Sequence, residues 1–201
     1  MPAGTMLRRS LLGAGAAALV LSLACSDDDG PGGPSDDSVL LRWTFGEDLE
    51  GWSEGTTPSA SSWGTVVVTD ADALDDPSDA DEGSAKLDGV GDPGSPNAWI
   101  HHADLELPAD ATTLAWWAAG HNRDGANAAL RVQLVDGNGD THLLADWEEF
   151  TGSEGVRNWE ERSVSVAAYA GQTVALYFEQ DDNGPGVHEQ IYLDEIRVLR
   201  D

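Results

Sequence analysis

The chain has 201 residues, with 10 Lys and Arg against 37 Asp and Glu and a formal net charge of −27. So acidic a surface excludes nucleic acid and anionic membrane surfaces as partners, because both require basic patches. One Cys in the whole chain excludes an internal disulfide framework.

Residues 1–24 have the layout of an export signal: Arg8 and Arg9, then the apolar run 11–23, with small residues leading to Cys25. The run is too short and too rich in Ala and Gly to make a stable membrane span, which favours a cleaved signal peptide. The stretch LSLAC (21–25) resembles a bacterial lipobox, with Ala24 before the Cys; Leu at 23 rather than 22 departs from the commonest form. The resemblance implies that Cys25 becomes an acylated N-terminus, which anchors to a bilayer without spanning it. The alternative is a cleaved signal without lipid. RRSLLG (8–13) is also similar to part of a twin-arginine signal, leaving the export route open. Loss of residues 1–24 removes two Arg and no acid, making the mature chain more negative still.

The next segment, up to residue 38, is Ser, Asp, Gly and Pro with no large apolar side chain. It cannot bury enough surface to fold, and residues 25–38 read as an acidic tether. Residues 39–201 then form one domain of ordinary size.

Within that domain, short alternating segments predict strands over 39–45, 65–69, 84–89, 98–107, 112–119, 129–135, 141–147, 161–166, 173–180 and 189–199. No stretch holds a long helical period; residues 164–171 allow one turn at most. Many short strands at such spacing predict an all-β, antiparallel β-sandwich of jelly-roll type. VDGNGDT (135–141) has the acidic spacing of a calcium loop. The twelfth position counted from Asp136 is Trp147, however, and strands rather than helices flank it, so a hairpin turn is expected.

The last third, NWEERSVSVAAYAGQTVALYFEQDDNGPGVHEQIYLDEIRV (158–198), resembles the end of galactose-binding-like jelly rolls, which include many carbohydrate-binding modules. MAM-like sandwiches end in a similar way. The opening RWTFGEDLEGW (42–52) and EGSAKLDG (82–89) fit the same resemblance, while 98–150 match only in rhythm. The resemblance implies a structural Ca2+ where the first strand region meets the last, held by an acid near the start and the Asp of the last strand. Those positions are Glu47 and Asp194, with Asp48 an alternative to Glu47 because Gly46 is inserted. Backbone carbonyls near residues 83–86 would complete the shell of oxygens that a hard cation takes. Asp194, between Leu193 and Ile196, needs a counter-charge if buried. Arg42 or Arg197 is the alternative to a cation.

No catalytic set stands out. TGSEG (151–155) lacks the first Gly of a nucleophile elbow, and HEQIY (188–192) is not a helical zinc motif. The five His do not cluster by spacing, so zinc ligation is unsupported. A jelly-roll glycosidase needs two carboxylates roughly 5–9.5 Å apart. Asp194 and Glu195 face opposite ways on a regular strand, and Glu189 lies about 20 Å from Glu195 along it.

Binding rests on aromatics. The chain has 8 Trp, and the flat apolar face of a sugar ring stacks on such side chains. Strand parity sends Leu130, Val132, Leu134, Val174, Leu176 and Phe178 inward and leaves Trp117, Arg131, Gln133 and Tyr177, with Glu179, outward. Trp117, Arg131, Gln133 and Tyr177 are therefore the expected ligand face; Trp43, Trp52, Trp116 and Trp159 are expected in the core or its rim. The expectation is an exported, lipid-anchored, non-catalytic module for carbohydrate, or for an envelope or extracellular protein if the sugar site is absent. A glycoside hydrolase is the third reading.

Overall fold

The computed structural model describes residues 38–46, 48–57, 65–69, 83–90, 97–122, 128–147, 150, 155–182 and 188–201. Cys25, the signal and tether of residues 1–37, and Glu47 lie outside the described residues. Among the described residues the chain forms β1 (Val39–Trp43), β2 (Ser53–Thr57), β3 (Thr65–Thr69), β4 (Ser84–Val90), β5 (Asn97–Glu106) and β6 (Thr113–Asn122). β7 (Ala128–Val135), β8 (Thr141–Trp147), β9 (Gly155–Ser165), β10 (Thr173–Asp182) and β11 (His188–Leu199) follow, with one 3-10 turn at Ala167–Tyr169. All except β2 overlap strands expected from alternation, although β9 begins at Gly155, ahead of the expected 161–166.

Two antiparallel sheets result. Sheet A runs β3-β4-β11-β6-β9, with β1 also on β11; sheet B runs β2-β5-β10-β7-β8. This is the all-β sandwich that the strand spacing predicts.

Alternation builds the core. Leu130, Val132 and Leu134 of β7 and Val174, Leu176 and Phe178 of β10 are buried, and share one cluster with Leu114, Trp116, Ile191, Leu193, Ile196 and Val198 of sheet A. Each such side chain contributes about 1.5–3 kcal/mol through burial. Aromatic rings tie the layers together: Trp116 meets Phe178 edge-on at 5.3 Å, and Trp52 meets Phe178 at 5.7 Å and Trp43 at 5.5 Å. Edge-on contacts put the positive rim of one ring on the negative face of the next. Trp43, Trp52 and Trp116 are thus core residues, whereas Trp159 packs with Tyr192 and Ala119 in a separate small cluster.

The acidic pair in β11 sits at a change of partners. β4 pairs with β11 as far as Leu193, and β1 takes over from Ile196. On the other edge the register slips between Asp194, opposite Trp117, and Arg197, opposite Ala115. Glu195 occupies this bulge with a φ of 48°, strained for a residue with a side chain. Its carboxylate is met by Arg42 of β1, whose Nε donates to Oε2 at 3.0 Å while the guanidinium forms an ion pair with Oε1. The strand tolerates Glu195 because the bulge turns it towards that cation.

The β7–β8 connection is a tight turn, as expected. Asp136 Oδ1 accepts from the amides of Asn138 at 2.9 Å and Asp140 at 3.1 Å, and Gly139 supplies a φ of 88°.

Candidate functional site

The outer face of sheet B carries two cross-strand rows. The first is Ser53, His101, Tyr177, Gln133 and Leu143; the second is Gly55, Trp99, Glu179, Arg131 and Asp146. Directly opposed residues share a face, so strand register alone gathers these side chains.

The rings of Trp99, His101 and Tyr177 form one aromatic group. His101 stacks on Tyr177 at 4.9 Å with an interplanar angle of 10°, and Trp99 stands edge-on to His101 at 5.1 Å and to Tyr177 at 6.3 Å. Trp99 leans over β2, where Gly55 leaves room: a Cβ there would lie 2.1 Å from the indole. Burial, followed by the charge of His102, pushes the His101 pKa below its usual value.

Glu179 sits between these rings and β7. Its Oε1 accepts from Asn97 Nδ2 at 2.7 Å and its Oε2 from Gln133 Nε2 at 3.0 Å. Arg131 forms ion pairs with Asp181 and, at 3.5 Å, with Asp146. Burial alone would lower the Arg131 pKa; Asp181, Asp146 and Glu179 outweigh it and raise it. Trp99, Gln133, Val135, Thr141, Tyr177 and Glu179 line a cavity of about 310 Å³. That volume is at the lower end for a small-ligand pocket.

Of the four residues expected on one ligand face, the structure brings Arg131, Gln133 and Tyr177 together on sheet B. Trp117 is a correction: it lies on β6 of sheet A, opposite Glu161 and Asp194, and cannot join that face. Parity says which side of its own strand a residue occupies, but not which sheet the strand enters. Arg131 belongs to the face but not to the cavity lining, because Asp181 and Asp146 engage it. Trp99 and His101 are the residues missed. They share parity on β5, but only the pairing of β5 with β10 brings them to Tyr177.

Asp194 is fully buried, and its Oδ1 accepts from the Glu195 amide at 2.6 Å. The pairing of Leu193 with Ala85 sets it level with Ser84, at the end of β4 next to Gly83. There a Cβ on Gly83 would lie 2.2 Å from the Phe45 carbonyl oxygen, so only Gly allows the β1 exit to pass. Among the described residues no group of three or more His, Cys, Asp or Glu forms a cation site. Among the described residues, a cation at Asp194 would rely on backbone carbonyls for its remaining ligands.

No family model matches the chain, and no curated protein matches it in sequence. Solved structures do match. The K1 cleaved adhesin domain of Lys-gingipain from Porphyromonas gingivalis W83 superposes with a TM-score of 0.56 at 15% identity, covering 80% of this chain and 98% of that one. The K2 cleaved adhesin domain of Lys-gingipain gives 0.52 at 15% identity, covering 79% and 96%. A structure described as explaining promiscuous specificity in carbohydrate-binding modules of the β-sandwich superfamily gives 0.52 at 18% identity, covering 76% of this chain and 58% of that one. At such identity these matches establish the jelly-roll sandwich, a fold shared with carbohydrate-binding modules and adhesin domains.

Proposed function

We propose that the chain is a non-catalytic glycan-binding module and that the outer face of sheet B is its site. The observation that carries this reading is the cavity in which the Trp99 and Tyr177 rings stand beside Glu179 and Gln133. Aromatic rings offer an apolar surface to a pyranose face, while amide and carboxylate groups fix its hydroxyls. The fold shared with carbohydrate-binding modules supports the reading. Titrating soluble oligosaccharides while following tryptophan fluorescence tests it. Saturable quenching is expected, and a flat response to neutral, basic and acidic oligosaccharides alike would refute it.

Two features favour binding over hydrolysis. Glu179 and Asp181 share a face about 7 Å apart along β10, a spacing compatible with paired glycosidase carboxylates. A hydrolase must offer both carboxylates to the substrate and its water, however. Asp181 is in an ion pair with Arg131, and both oxygens of Glu179 accept from side-chain amides. Protein recognition is the second reading, favoured by Leu143, 57% exposed in the first cross-strand row.

The wider setting is part of the same proposal. Cys25 in LSLAC would carry the lipid, placing the module on the cell envelope; radiolabelled palmitate incorporation, lost in Cys25→Ser, tests this. A structural Ca2+ at Asp194, with Glu47 and nearby carbonyls, is supported by the complete burial of that carboxylate.

A further inference from the structure

Glu179 is held in place by two neutral side-chain amides. Asn97 and Gln133 each give an amide N–H to the Glu179 carboxylate, at 2.7 and 3.0 Å, and bring no charge to offset it. An ionised carboxylate is itself acceptor-only. A group that engages the Glu179 oxygens must therefore donate.

The charge balance has the same sign. Arg131 is the one cation among the outward residues of the Glu179 row, and it faces the carboxylates of Glu179, Asp181 and Asp146. Its guanidinium is engaged by Asp181 and Asp146, and it does not line the cavity. Glu179 does line it, together with Trp99 and Tyr177, whose rings stand 6.3 Å apart at 66°. Aromatic faces attract cations, a carboxylate beside them adds to that attraction, and an ammonium group is all donor and no acceptor.

We propose that this cavity selects a sugar bearing a free, protonated amine over its N-acetylated, hydroxyl-only and acidic counterparts, with Glu179 as the selecting group. The inference rests on the glycan reading of the face. It adds a specific charge preference to a site that stacking alone would leave indifferent to charge.

Calorimetric titration of the full chain with four β-linked tetramers tests it: glucosamine, N-acetylglucosamine, glucose and glucuronic acid. The glucosamine tetramer is expected to bind about ten-fold tighter than the N-acetylated and glucose forms, with the acidic tetramer weakest. Glu179→Gln keeps the shape and removes the charge, and should bring the first three within about two-fold of one another. Asp110→Asn makes the same change in net charge at an exposed loop residue and should leave the preference intact, which separates site recognition from general attraction to an acidic protein. Equal affinity for amine and N-acetyl forms, or a preference that survives Glu179→Gln, overturns the charge selection. The glycan reading still stands in that case if Trp99→Ala abolishes binding. Failure of all four tetramers to bind overturns both.

Discussion

The indole of Trp99 lies against Gly55 so closely that a β-carbon at position 55 would stand 2.1 Å from the ring. Real Cβ atoms do not approach an aromatic carbon that closely, so any side chain there must push the indole away. Gly55 is on β2, at the edge of sheet B, and pairs directly with Trp99. Gly55→Val is therefore expected to weaken glycan binding about ten-fold or more, as loss of a central aromatic contact does. Its thermal midpoint should move by no more than about 4 °C, since an edge strand and not the core is disturbed. Calorimetric titration and a melting curve on the same sample check both halves.

Two adjacent tryptophans should behave in opposite ways. Trp116 is fully buried among Phe178 and Trp147, whereas Trp117 is partly exposed on the outer side of sheet A. Trp116→Ala is expected to cost about 3–5 kcal/mol in urea unfolding, the usual range for emptying a buried aromatic site. Trp117→Ala should cost clearly less and leave glycan affinity unchanged. Loss of affinity in Trp117→Ala would move the site to the other sheet.

Acid should destabilise the domain in two distinguishable steps. A hydrogen bond from His142, aided by the amides of Asn138 and Asp140 and opposed by burial, lowers the Asp136 pKa. That carboxylate therefore adds stability above its ordinary pKa, about 3.9, and the contribution is lost as pH falls through the lowered folded value. For His101 the unfolded chain takes up a proton that the folded one resists. Its contribution is present above about 6.5 and is lost as pH falls from there towards the lowered folded value. Melting temperature measured from neutral to acid pH should show both declines. Asp136→Asn should remove the lower and His101→Gln the upper; a profile identical in His101→Gln would refute the assignment to that imidazole.

If a cation sits at Asp194, millimolar Ca2+ should raise the melting temperature above that in EDTA, because a ligand bound only by the folded state stabilises it. The increment should vanish in Asp194→Asn. An equal melting temperature with and without chelator would leave Asp194 as a buried carboxylate without metal.

Much of this fold is legible residue by residue. TVALYFEQ alternates cleanly, and β10 forms there because one side must leave water. β2 was not legible: SEGTT has no large apolar residue, and its pairing with β5 is set by the neighbouring strand. The bulge at Glu195 was hidden as well, since it arises where β1 and β4 share one edge of β11. The site was half legible for the same reason. Tyr177, Gln133 and Arg131 follow from parity within β10 and β7, which are direct neighbours. Assigning Trp117 to their face and passing over Trp99 both come from strand order, a long-range property that local alternation does not encode.

The most direct test of the central claim is native gel electrophoresis through a panel of soluble polysaccharides, comparing the unaltered chain with Trp99→Ala and Trp117→Ala. The account predicts that at least one polysaccharide retards the unaltered chain and Trp117→Ala equally, and that Trp99→Ala migrates as it does without polysaccharide. Retardation that persists in Trp99→Ala, or is lost in Trp117→Ala instead, would contradict a glycan site on the outer face of sheet B.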